Sequence, residues 1–198
     1  MSRFRAIAAA CALVVPARAA AQWSVTAEMG LARFGGSSLD TAAADPTSLR
    51  PSRPTLVALR LGRDLGAIGF ALALARAPTG LLETGPDLAI VVPDVMTLYE
   101  VAPEVAVRVA RSSAGATWRL HAGPVLDHWT VKHDGDRTRW GVHVGSSLGF
   151  PLVSRLGVSV RAGATLTPSV FDAAELPDGF ERRAMWRTGI ALGVRYSL

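Results

Sequence analysis

Trp140-Gly141-Val142-His143-Val144-Gly145-Ser146-Ser147-Leu148-Gly149-Phe150 decides the fold. The even positions carry Trp, Val, Val, Leu and Phe around a single serine, while the odd positions carry only Gly, His and Ser. Successive side chains leave a strand on opposite sides, so a period of two marks a strand whose faces meet unlike surroundings. The run is also long. It exceeds the ~5–6 residues of a common globular strand and matches the ~9–11 that cross a bilayer at a tilt.

The alternation recurs seven more times, over Trp23–Leu31, Val57–Leu61, Ile68–Leu74, Tyr99–Val109, Trp118–Leu126, Leu156–Leu166 and Trp186–Tyr196. The connections alternate in length. Asp64–Gly66, Arg111–Gly115 and Pro151–Arg155 are short, whereas Gly35–Arg53, Pro78–Val95, His128–Arg139 and Ser169–Arg183 are long. Short turns on one rim and long loops on the other describe an up-and-down barrel of the outer-membrane kind. The expected fold is therefore all-β, an eight-stranded antiparallel up-and-down transmembrane β-barrel.

Alternation alone also fits a soluble barrel with its apolar face inward, a lipocalin-like binder of a small apolar ligand. The make-up of the two faces argues for lipid. The apolar face is bulky and carries no charge, too large a set to share the interior of eight strands, which side chains only just fill. The other face holds glycines, alanines and the charges Glu28, Arg60, Glu100, Glu104, Arg108, Arg119, Arg161, Arg187 and Arg195. An arginine facing lipid at mid-membrane costs about 2–4 kcal/mol, so an uncharged outer band is what lipid exposure requires. With the N-terminus on the periplasmic side, Trp23, Trp118, Phe150 and Tyr196 end strands near that rim, and Tyr99, Trp140 and Trp186 end them near the other. Two aromatic girdles belong at those levels.

Composition agrees. The 198 residues are 49% hydrophobic and 19% charged, with mean hydropathy +0.28, yet no stretch reaches the ~18 consecutive apolar residues of a spanning helix. Residues 1–21 read as a secretory signal: Arg3 and Arg5, the apolar run Ala6–Val15, then Pro16 and small residues Ala19-Ala20-Ala21 before Gln22. Cys11 is similar to a lipoprotein cleavage site, but too little apolar chain precedes it. Cleavage removes Arg3, Arg5, Arg18 and the single Cys, lowering the formal net charge from +5 to about +2 and leaving residues 22–198 as the barrel domain. No basic stripe with interleaved aromatics supports nucleic-acid binding.

The whole mature chain resembles the small eight-stranded outer-membrane barrels of the OmpA/OmpX-like group. Its last strand, with Ile190, Leu192, Val194 and Tyr196 alternating toward the C-terminus, resembles that group's assembly signal, though the chain ends in Leu198 where an aromatic is usual. The resemblance implies outer-membrane location, a lipid bilayer partner, the barrel-assembly machinery during biogenesis and a monomer. It carries no catalytic residue.

The functional expectation is a structural or surface-interaction role, without enzymatic activity or cofactor, in a barrel whose inward glutamates and arginines pair into a lumenal plug. The excess of inward arginine keeps a narrow anion-preferring pore open as an alternative. His121 and His143 both point inward, across neighbouring strands, and read as packed histidines rather than metal ligands. Some eight-stranded barrels modify lipids with a His and a Ser facing lipid; here His143 has the wrong parity and Gly145 stands two positions on. Asp134-Gly135-Asp136 lacks the spacing of a calcium loop. Pro103 and Pro124 fall almost opposite each other in the expected register, where a bulge or bend is required.

Overall fold

The computed structural model describes residues 22–42, 46–87, 89–132 and 135–198. The expected signal at 1–21, with Cys11, and Asp134 of the expected turn lie outside the described residues. Eleven strands follow in order: β1 (Gln22–Gly35), β2 (Ser38–Asp40), β3 (Ser48–Pro51), β4 (Thr55–Leu65), β5 (Ile68–Thr84), β6 (Ala89–Arg111), β7 (Thr117–Val131), β8 (Gly135–Pro151), β9 (Leu156–Thr167), β10 (Phe180–Arg182) and β11 (Met185–Ser197).

Eight of them close a ring. The order β1-β4-β5-β6-β7-β8-β9-β11 returns to β1 through pairs such as Met29↔Leu192, and every neighbour is antiparallel. These eight are the alternating segments of the sequence. Closure leaves no edge in the ring and satisfies the backbone polar groups strand to strand, as a hydrocarbon surround demands. The ends meet at one rim, where the Leu198 amide donates to the Trp23 carbonyl at 2.9 Å. The same rim carries the short turns after β4, β6 and β8, and Gly66 (φ 82°) and Gly115 (φ 84°) supply the left-handed backbone two of these need.

The opposite, loop rim is more ordered than long loops would be. β5 and β6 continue to Thr84 and Ala89, and β7 and β8 to Val131 and Gly135, so most of 78–95 and 128–139 is paired strand. The apolar run Ile90–Val92 extends β6 against Leu81–Glu83. Strands β10, β2 and β3 add a small sheet that joins the ring at β5.

Pro103 and Pro124 do face each other. The β6–β7 register is unbroken from Val101↔Leu126 to Val105↔Ala122, but the rows between them, with the two prolines, make no bridge. Two missing N–H donors open the ladder there. The bulge itself lies elsewhere, between Arg108 and Ala110. Gly123 is required at this gap, because a Cβ there would stand 2.0 Å from the Pro103 carbonyl oxygen.

Candidate functional site

Strand parity sends the apolar face outward, and the exposed large side chains include Met29, Leu59, Leu72, Val144, Ile190 and Leu192. The candidate site is therefore the lumen. Its inward residues form layers along the barrel axis.

The central layer is ionic. Glu104 on β6 takes Arg161 at 2.6 Å on both carboxylate oxygens, pairs with Arg60, and lies 3.0 Å from His143 Nε2. Arg60 also donates to Glu28 through Nε at 3.1 Å and Nη2 at 3.3 Å. His121 Nδ1 lies 2.8 Å from Arg161 Nη2. The carboxylates have under a tenth of their surface exposed, so charge balance is obligatory; two glutamates against two arginines provide it. The ring of His121 lies on the glycine across the ladder, since a Cβ at Gly145 would meet His121 Cε1 at 2.2 Å. Glycine at 145 is thus what lets the histidine fold flat into the lumen.

Two further charge groups flank this layer. Toward the loop rim, Arg187 pairs with Glu100 and donates to Thr165 Oγ1 at 3.2 Å. Toward the turn rim, Asp64 receives Arg119 through both oxygens and Arg195 Nη2 at 2.7 Å. Of the nine charges expected inside, eight thus fall into ion pairs among the described residues, and Arg108 does not. Asp64 escaped the sequence reading because it was assigned to the turn; it is in fact a β4 residue with lumenal parity.

Above these layers the lumen becomes apolar. Phe34, Leu98, Trp129 and Met185 are buried there with Val170 and Phe171, which the 168–172 segment places over the opening. The Phe34 and Trp129 rings stand 5.6 Å apart. Arg137 and Arg139 clamp this segment: Arg137 Nη2 donates to Glu175 at 2.6 Å, and Arg139 to Asp172 at 2.7 Å and to the Ser169 carbonyl at 2.8 Å. Phe34, Leu98, Trp129, Met185, Arg137 and Arg139 continue the parity of their strands, and this was the signal that could have found them; Val170 and Phe171 lie outside any strand. Asp127, also fully buried and inward, follows the same rule.

Glu104, His121 and His143 bring three ligand atoms within 4.8 Å of one another. The donor set is of a kind that binds divalent metals. Its surroundings oppose that use, because Arg60 and Arg161 already hold the carboxylate and would repel a dication.

The chain is similar to the crystal structure of Neisserial surface protein A, with TM-score 0.57 and 14% identity over 91% of this chain and all of that one. It is similar also to the solid-state NMR structure of outer membrane protein AlkL in DMPC bilayers, with TM-score 0.54 and 14% identity over 93% and 95%. This is the fold of the small outer-membrane β-barrels. No protein-family model and no curated relative matches the sequence.

On this outer-membrane barrel fold all seven expected girdle aromatics point outward and are exposed. Trp23, Trp118, Phe150 and Tyr196 stand toward the turn rim, and Tyr99, Trp140 and Trp186 toward the loop rim. Arg63 lies over Trp23 at 5.5 Å and Arg76 over Tyr99 at 5.9 Å, so each level pairs an outward aromatic with a cation. Ser146, the one polar residue of the opening stretch on this face, accepts from Trp118 Nε1 at 2.7 Å.

Proposed function

We propose that the chain is an integral, monomeric outer-membrane barrel with a plugged lumen, serving a structural or surface-interaction role through its loop rim. The single observation that carries this is the pairing of Glu104 with Arg60, Arg161 and His143 across the barrel axis, beneath the apolar closure around Trp129. The bore of an eight-stranded ring is narrow, and at the level of Glu104 these side chains occupy it. Residues 1–21 serve as a cleaved export signal, and the last strand, ending near Tyr196, engages the assembly machinery.

We assign the barrel no catalytic role. His143 faces the lumen and Glu104 rather than lipid, and the outward surface around it is Val142 and Val144. The exposed apolar band supports lipid contact over a soluble ligand-binding barrel, which would turn such residues inward. The arginine excess toward the turn rim favours anions at that end, but the Glu104 layer lies across the route to the other.

Planar-bilayer recording tests the plug. The purified barrel is expected to insert without steady conductance, and a stable anion-selective current would overturn the plugged reading.

A further inference from the structure

Between the Glu104 layer and the turn rim the lumen widens into a cavity of about 510 Å³. The layer separates it from a smaller void of about 100 Å³ toward the loop rim. The larger space lies within the ~300–1,000 Å³ range of ligand pockets.

Its charge is unbalanced. Among the described residues, seven arginines and three carboxylates line it, an excess of four positive charges. Glu28 and Glu104 are already committed to Arg60 and Arg161. Asp64 alone is left to face Arg108, Arg111, Arg119, Arg155 and Arg195, and it pairs with Arg119 and Arg195. Arg108 stands directly across the β6–β7 ladder from Arg119, both on the lumenal side. Like charges placed opposite each other on one face destabilise a sheet unless a counter-charge joins them, and no described acid joins these two. The Nε atoms of Arg119 and Arg195 are buried without a hydrogen-bond partner. Convergent guanidinium donors, unmet N–H groups and a shortage of acceptors describe one kind of ligand.

We propose that this cavity is a binding site for a small, doubly charged oxyanion of the phosphate or sulfate class, held between Arg108 and Arg119 and entering from the turn rim. Guanidinium forks match the geometry of such oxyanions, and the partly enclosed space strengthens charge-assisted bonds. The side chains face the lumen, so the ligand comes from solution and not from a lipid headgroup. Asp64 acts as the resident competitor for the same donors. Binding from one end needs no through-path, so this site and the plug stand or fall separately: conductance reads one and equilibrium binding the other.

The test titrates inorganic phosphate, then sulfate, into the full barrel folded in phosphate-free maltoside micelles, by calorimetry at constant ionic strength held with chloride. Heat-dependent gel mobility verifies the fold of each variant first. One saturable site is expected for both oxyanions, with Arg108→Gln weakening it about tenfold. Among the described residues Arg108 has no ion pair to lose, so this variant keeps the barrel's ion pairs. Asp64→Asn should tighten binding by releasing two guanidiniums, and Arg63→Gln, on the lipid side of the same rim, should leave it unchanged. Absence of saturable binding, equal competition by chloride at equimolar concentration, or wild-type affinity in Arg108→Gln would each overturn the proposal.

Discussion

Above and below the ring of Tyr99, Trp140 and Trp186, the same strands carry opposite patterns. Below it, β8 turns Val142, Val144 and Leu148 outward and His143 inward. Above it, β8 turns Thr138 and Asp136 outward, β7 turns Thr130 outward and Trp129 inward, and β6 turns Thr97 outward with Met96 and Leu98 inward. At these positions parity holds across the girdle; polarity changes. The lower region has lipid outside, so charge can be kept only within, where it must be paired. The upper region, read as standing in water, buries Met96, Leu98 and Trp129 as a soluble domain does, while Ile90, Val91 and Val92 at the far end of β6 stay exposed. The hydrophobic effect thus acts on one continuous sheet with its direction reversed at the girdle.

Three substitutions probe that division, in falling order of effect. Below the girdle, Glu104→Ala strands Arg161 in the lumen and leaves Arg60 with Glu28 alone. Breaking a buried ionic group in this way costs about 3–5 kcal/mol. Urea unfolding from lipid vesicles should show that loss, and a change under about 1 kcal/mol would mean the charges are hydrated and not sealed. Above the girdle, Trp129→Ala removes a wholly buried ring and should cost about 3 kcal/mol. Unlike Glu104→Ala, it should leave the ionic layers in place, so bilayer current should stay absent. Steady current in this variant would move the seal from the charges to the apolar closure. At the turn-rim girdle, Arg63→Ala removes a cation lying over Trp23 and should cost about 0.5–1 kcal/mol, measured in the same unfolding series. A loss of several kcal/mol there would show that Arg63 does more than lie over Trp23.

The reversal also explains what the sequence could and could not disclose. Between the girdles the surroundings differ strongly on the two faces, so every second residue is apolar and eight strands can be read directly, with the inward Glu104, Arg161 and Arg187 falling into place by parity. Beyond the girdle the apolar side switches. Around Leu98-Tyr99 and Leu126-Asp127 the hydropathy alternation loses its phase, and the strands seemed to end where only their surroundings changed. Trp129, Met185 and Phe34 were therefore hidden, although continued parity places each of them inward. Asp64 was hidden for a different reason: it sits beside the turn, and a carboxylate there is ordinary unless Arg119 and Arg195 are known to reach it. Partners separated by 55 and 131 positions leave no local signal.

The reversal itself is best tested on one strand and one face. Val144 and Thr138 both point outward from β8, six residues apart, on opposite sides of the Trp140 level. Each is replaced by arginine, and unfolding free energies are measured from lipid vesicles. The account predicts a loss of about 2–4 kcal/mol for Val144→Arg, where the charge meets hydrocarbon, and a change within about 0.5 kcal/mol for Thr138→Arg, where it meets water. Equal effects at the two positions would contradict it.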